Sequence, residues 1–289
     1  MAASLARDVL GHHFQNPVLL AAGTAGYGLE LAGVADLERL GGVICKAVSR
    51  EPRKGNRAPR VAEFAGGMLN SVGLANPGLA RVRSHELPRL LAQVRRVRVL
   101  VNVVGFTTGE YAEVVAGLDD LDGITGFELN LSCPNTSAGG IEFGADPACI
   151  DQVVRTCRAA TRRLLAVKLS PVLPDIAGAA IVARDAGADV ISVVNTLPGL
   201  LHGNGRPRLG NGNGGVSGPA LLPVGVLAAA RVVERTGGMP VIGVGGVRSA
   251  DDVRQYLRVG AALVAIGTAG LADPRLPERI VRDLEAGDG

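Results

Sequence analysis

The sequence predicts an α/β fold, a parallel (β/α)8 barrel of the TIM type, and three observations predict it. Short apolar runs alternate strictly with longer stretches of helical period, about eight of each. Aromatics are only 3% of the residues and Trp is absent, so the core must come from Val, Leu, Ile and Ala, as in strands covered on both faces by helices. The length of 289 residues suits one such barrel, commonly about 250 residues, so residues 1–289 are expected to form a single domain. Pattern alone also admits an open doubly wound sheet.

The expected strands are residues 18–22, 42–46, 99–104, 127–131, 165–169, 190–194, 241–243 and 263–266. Helices are expected at 29–40, 85–94, 110–118, 147–161, 176–186, 221–235 and 250–259, with a last near 276–285. Asp146 before Pro147 is a start signal, and so is Ser249 with Asp252 three residues on. Two connections exceed ordinary loop length: residues 47–84 after the second strand and 196–219 after the sixth. Such connections are usually functional or disordered. Both leave C-terminal strand ends, where barrel enzymes carry their chemistry. The second reads as a long lid loop after strand 6, and a mobile one.

Composition removes several function classes. The net charge is +3 with acids and bases interspersed, which gives no case for nucleic acid binding. The basic stretch at residues 50–60 is broken by Pro52, Gly55 and Pro59 and reads as a solvated loop before it reads as a binding patch. The first ten residues carry Arg7 and Asp8 without an apolar segment, so no secretory signal is expected. No apolar run approaches the ~18 residues of a membrane span. Cys45, Cys133, Cys149 and Cys157 form no CxxC pair, so no metal or iron–sulfur site is expected in this chain. A reducing, cytoplasmic setting fits these features, with no membrane partner.

The chemistry shows in polar residues where aliphatic ones belong. Lys46 closes VICK, Asn102 lies in LVNVV, Asn130 and Cys133 follow in FELNLSC, Lys168 lies in LLAVKLS, and Asn195 follows VISVV. A lysine among aliphatic side chains needs an anionic or hydrogen-bonding partner, because burying an unpaired ammonium costs several kcal/mol or its proton. Taken singly, a strand-end asparagine is more often a turn residue than a ligand, and Cys133 alone would read as a structural thiol. Their coincidence at five strand ends describes a polar site on an apolar barrel. Cys45, Cys149 and Cys157 are left to the core.

The last two strands end in glycine instead, at Gly243, Gly245 and Gly246 and at Gly267 before Thr268. Glycine lets backbone N–H groups approach an oxyanion closely, and loops after strands seven and eight of such barrels frequently hold a phosphate. That points to a phosphorylated substrate or to a cofactor such as FMN. The GTAGYG stretch at residues 23–28 lacks the spacing of a dinucleotide fingerprint.

Around Cys133 the string NLSCPN resembles the active-site motif of the dihydroorotate dehydrogenases. The resemblance extends over nearly the whole chain: NPVLLAAG at 16–23, KAVSREPRKGNRAPR at 46–60, MLNSVGLANPG at 68–78 and NVVG at 102–105. It continues with VKLSP at 167–171, VVNT at 193–196, GGVSGP at 214–219, GVGG at 243–246 and GT at 267–268. Each string is weak alone; order and spacing make the set specific. A cysteine at position 133 resembles class 1 enzymes, where class 2 has serine. The strings at 49–78 and 135–147 look like the class 1B catalytic subunit.

The resemblance implies an FMN-linked oxidoreductase barrel that oxidises (S)-dihydroorotate to orotate in de novo pyrimidine (UMP) biosynthesis. Cys133 would be the catalytic base and one FMN per chain the hydride acceptor. Electrons would pass to NAD+ through a separate subunit carrying FAD and [2Fe–2S], in a homodimer or heterotetramer. The substrate would meet Lys46, Asn70, Ser71, Val72, Gly73, Leu74, Asn130, Asn195 and Thr196. The flavin would be lined by Ala22, Gly23, Lys46, Ala47, Asn102, Asn130 and Val194, with Lys168 by N1/O2. Its phosphate would be held by Gly218, Gly245, Gly246, Gly267 and Thr268. The alternative is a class 1A fumarate-reducing enzyme or a dihydropyrimidine-type FMN barrel.

Overall fold

A computed structural model of the chain describes residues 5–31, 33–131, 134–135 and 141–287. Eight strands close into a barrel in sequence order: β1 (Val18–Leu20), β2 (Gly42–Val48), β3 (Arg98–Val103), β4 (Ile124–Asn130), β5 (Leu164–Leu169), β6 (Val190–Val193), β7 (Val241–Val244) and β8 (Leu263–Ile266). Every neighbour pairing is parallel, and β8 returns to β1 with Val264 opposite Val18 and Ile266 opposite Leu20. This is the TIM barrel that the alternation of apolar runs and helical stretches predicts. All eight expected strands are present, with ends shifted by a few residues.

Strand alternation decides what fills the barrel. Phe127 and Leu129 pack outward under the helices, whereas Leu19, Ile44, Leu100, Ala166, Val190, Ile242 and Leu263 form the interior cluster. In a tilted barrel each interior layer takes one residue from every second strand. The registers put Leu19, Leu100, Ala166 and Ile242 at one level, with Ile44, Glu128, Ser192 and Ala265 above them. Ala21, Asn102, Lys168 and Val244 come next. The filling therefore turns from aliphatic to polar toward the C-terminal strand ends. The opposite end is closed by a hairpin, Arg7–Val9 with His12–Phe14, which buries Val9 and Phe14 in the interior cluster.

The helices that cover the barrel start where the sequence signals them. Asp146 accepts from the N–H of Ala148 with Pro147 at the first helical position, and Ser249 accepts from the N–H of Asp252. Thr107 and Asp175 cap the helices after β3 and β5 in the same way. Each cap is worth about 1 kcal/mol.

Two expectations need correction. The helix expected at residues 29–40 is two 3-10 turns, Leu29–Leu31 and Leu37–Arg39. Within that stretch Gly33 takes φ of +77°, which no right-handed helix can contain. The helix expected at 85–94 begins earlier, at Leu79–Arg81, and passes through a π turn, Val82–Glu86, before Leu87–Gln93. The wide turn stands directly ahead of Pro88, whose ring crowds the preceding turn.

The two long connections are built into each other. Leu197–Gly199, Gly214–Ser217, Gly67–Asn70 and Val61–Phe64 form, in that order, a four-stranded antiparallel sheet. The segment read as a mobile lid thus has both arms in this sheet, with a small ribbon between them, His202–Gly203 against Arg206–Pro207.

Candidate active site

The site lies where the polar interior layers meet this sheet. Asn102 and Lys168 point inward from β3 and β5 at one level and are 1% and 7% exposed. The Lys168 ammonium has no hydrogen bond or ion pair with any described residue. A buried cation of that kind is costly until an anion or a dipole arrives. Lys46 is half-buried, and β2 runs past it to Val48.

Asparagines line the next level. Asn195 donates its amide to Oδ1 of Asn130 at 3.2 Å, while its own Oδ1 accepts from the N–H of Thr196 at 2.8 Å. Tyr111 holds the backbone carbonyl of Asn130 at 2.7 Å. Val194 is buried, and the Val193–Val194 peptide is cis. Asn70 donates to the carbonyl of Gly215 at 3.2 Å, which ties the first long connection to the second.

The loop of Ser71, Val72, Gly73 and Leu74 follows Asn70 and is shaped by two asparagines to which sequence reasoning assigned no role. Asn56 donates its side chain to Ser71 Oγ at 2.8 Å and its backbone N–H to Val72 O at 3.1 Å. Asn76 donates to Ser49 Oγ and Leu74 O and accepts from the N–H groups of Ser49 and Gly78. Between them Leu74 takes φ of +58°, rare for a branched residue and characteristic of functional loops.

A second group of residues forms a backbone cradle at the ends of β7 and β8. Gly245 and Gly246 take φ of +123° and +78°, and a Cβ on Gly246 would stand 2.3 Å from the Leu222 nitrogen. The N–H groups of Gly245, Gly246 and Gly267 donate to no described residue. Gly218 packs against Gly67, where a Cβ would stand 2.8 Å from its Cα. Thr268 donates to Ser217 Oγ at 2.8 Å, and Ser217 in turn donates to Met68 O at 3.3 Å. Ala22, Gly23 and Ala47 lie at the ends of β1 and β2; Tyr27 donates to the carbonyl of Ala47 at 3.2 Å.

Cys133 lies outside the described residues. Two residues before it in the chain, Leu131 O accepts from Gly144 N–H at 2.8 Å. Of the described cysteines, Cys45 and Cys157 are buried, and burial pushes each thiol up to about 12. Cys149 donates to Asp146 at 3.3 Å. Among the described residues no cluster of three His, Cys, Asp or Glu is placed to hold a metal ion, and no helix is long and apolar enough to cross a membrane.

Sequence reasoning also missed Glu128. It is fully buried in the barrel, and its Oε1 accepts from the Asn102 amide at 2.7 Å. The signal was present: in FELN the acid stands two residues before Asn130 and so shares its inward face.

These features fit a flavin mononucleotide. A barrel-interior lysine whose ammonium bonds no described residue, a buried Asn102 oxygen in the same state and glycine N–H groups that meet no described acceptor suit an electron-accepting ring with a phosphate tail.

Comparison with known proteins agrees with that chemistry. The family model described as dihydroorotate dehydrogenase matches residues 4–287. A dihydroorotate dehydrogenase B (NAD(+)) catalytic subunit from Pelobacter propionicus is 42% identical over 99% of this chain and 93% of its own. A putative dihydroorotate dehydrogenase A (fumarate) from Solibacter usitatus is 45% identical over 98% of this chain and 93% of its own. In fold, the chain superposes on DHODH from Eimeria tenella, solved in complex with ferulenol, with a TM-score of 0.82 at 22% identity, covering 97% of this chain and 83% of that one. The pattern of strand-end polar residues, the glycine cradle and the full-length family match converge on one conclusion: the chain belongs to the dihydroorotate dehydrogenase family.

Proposed function

We propose that this dihydroorotate dehydrogenase oxidises (S)-dihydroorotate to orotate, with Cys133 as the base that takes the C5 proton. The observation that carries the reading is Lys168, a barrel-interior residue 7% exposed whose ammonium has no described partner, one layer above Glu128. FMN, when bound, supplies the two-electron acceptor. The protein supplies the rest.

Lys46 pairs the substrate carboxylate. Asn70, Asn130 and Asn195 offer both donors and acceptors to the amide edges of the pyrimidine ring, with Ser71, Val72, Gly73, Leu74 and Thr196 completing the pocket. Lys168 would neutralise negative charge on the flavin ring, and Ala22, Gly23, Ala47, Asn102 and Val194 would line it. Gly218, Gly245, Gly246, Gly267 and Thr268 hold the phosphate. A thiolate is suited to a base near neutral pH, because positive or hydrogen-bonding neighbours bring a cysteine down from its ordinary value. Of the segment 196–219, the part between its two sheet arms would open and close over this pocket as a lid.

Electrons would pass to NAD+ through a separate subunit carrying FAD and [2Fe–2S]. The relatives named as catalytic subunits of NAD(+)-linked enzymes support this. A fumarate-linked enzyme is the second reading, favoured by the Solibacter relative.

The test is the anaerobic visible spectrum of the purified chain. Yellow protein that bleaches with dihydroorotate supports flavin and substrate together. Yellow protein that does not bleach removes the proposed mechanism, and colourless protein that takes up no FMN removes the cofactor. Reoxidation by fumarate alone would favour the second reading.

A further inference from the structure

Glu128 has no place in the mechanism above, yet it is the one acid among the fully buried residues of the described structure. Its Oε1 takes the Asn102 Nδ2 hydrogen at 2.7 Å. Asn102 Oδ1 is left buried with no partner among the described residues. A buried acceptor in that state is costly unless a donor reaches it. Asn102 shares its interior level with Lys168, so the oxygen belongs to the flavin end of the barrel and not to the aliphatic filling below.

An asparagine amide is nearly symmetric in shape, and only its hydrogen-bond partners decide which end faces where. A carboxylate can only accept. Facing Glu128, Asn102 must turn its NH2 toward the acid, which leaves its oxygen for another donor. The oxidised isoalloxazine edge carries a single ring N–H, flanked by two carbonyls. The reverse orientation would set an oxygen against the carboxylate and an NH2 against that N–H.

We propose that Glu128 is a positioning residue for the flavin: it locks the Asn102 amide so that its oxygen accepts the ring N–H. The inference rests on the FMN reading of the site. Glu128 touches neither ring nor substrate; it acts through Asn102.

The test compares FMN with 3-methyl-FMN, which lacks that N–H, in titrations of the full-length apoprotein followed by flavin fluorescence. Wild type is expected to prefer FMN by about tenfold or more. Glu128→Gln keeps shape and volume but can present either a donor or an acceptor, so the preference should fall to within about threefold. In the double variant Asn102→Asp with Glu128→Gln, the glutamine NH2 donates to the aspartate, whose other oxygen again faces the ring, and the preference should return. Glu128→Gln with wild-type preference overturns the proposal. Should Glu128→Gln fail to fold, the double variant decides it: regained preference supports the lock, and none overturns it. Wild type that binds neither flavin overturns the cofactor reading and this inference with it, whereas tight but indiscriminate binding of both overturns only this inference.

Discussion

Tyr256 donates its phenolic hydrogen to the carbonyl oxygen of Gly245 at 2.9 Å, reaching the cradle from the helix Ala250–Arg258 behind it. The room for its ring is made by two glycines: a Cβ on Gly225 would stand 1.9 Å from the phenolic oxygen, and one on Gly243 2.2 Å from the ring. Tyr256→Phe should lower stability by about 1 kcal/mol, the worth of one buried hydrogen bond. It should also weaken FMN binding several-fold, because Gly245 is no longer held from behind. Urea denaturation of the apoprotein and FMN titration read the two effects separately. Unchanged FMN affinity would make the tyrosine a packing residue alone.

Ser217 links the cradle to the sheet of the long connections, accepting from Thr268 at 2.8 Å and donating to Met68 at 3.3 Å. Met68 lies in the same strand as Asn70. Ser217→Ala should therefore loosen both ends at once, raising the FMN dissociation constant and the KM for dihydroorotate each by about threefold to tenfold. An effect on FMN with no change in KM would show that the sheet does not carry the coupling.

The barrel was legible because its strands are short apolar runs whose alternation survives any error at their ends. The sheet over its C-terminal end was not. Gly67–Asn70 finds its partner Gly214–Ser217 some 145 residues away, as the Asn70 to Gly215 bond records, and no local pattern announces such a pairing. The helix expected at 29–40 failed for a local reason: its apolar spacing is helical, but Gly33 inside it sits at positive φ. In the site, Lys168 and the asparagines stood out because they interrupt apolar strands. Glu128 interrupts one equally, but its partner Asn102 is set by β3–β4 register, which only the folded barrel supplies.

Asn195 spends its amide on Asn130 and its carbonyl on Thr196, so the two side chains are oriented as a pair. Asn195→Asp would place an acceptor against the Asn130 oxygen. Loss of one hydrogen bond together with this repulsion should raise the KM for dihydroorotate about tenfold to a hundredfold. Steady-state kinetics with orotate inhibition checks it, and an unaltered KM would remove Asn195 from the substrate pocket.

Burial raises the thiols of Cys45 and Cys157 from an ordinary 9.0 to about 12. The folded state thus keeps both protons where the unfolded chain releases them. Their contribution is fully present below pH 9.0 and declines as pH rises toward about 12, since the unfolded state then binds fewer protons. Each thiol should remove about 1.4 kcal/mol of stability per pH unit across that window. Cys157→Ala should start less stable at pH 8 yet show a shallower alkaline decline. Equal slopes in urea titrations of the two proteins would contradict the assignment.

Lys168 separates apoprotein from holoprotein more sharply than any other residue of the site. Lys168 is 7% exposed and its ammonium has no hydrogen bond or ion pair with a described residue, so in the absence of flavin the charge has little in the barrel interior to offset its lost hydration. Lys168→Met removes the charge and keeps most of the volume. The apoprotein should therefore gain stability, by roughly 1–3 kcal/mol, while FMN binding weakens and the flavin reduction potential falls. The opposed signs make the prediction hard to satisfy by accident: a merely disruptive substitution would lower stability and binding together. Thermal unfolding with and without FMN, alongside a dye-equilibrated reduction titration, measures all three. A destabilised Lys168→Met apoprotein would mean that the ammonium already has its counterpart in the empty barrel.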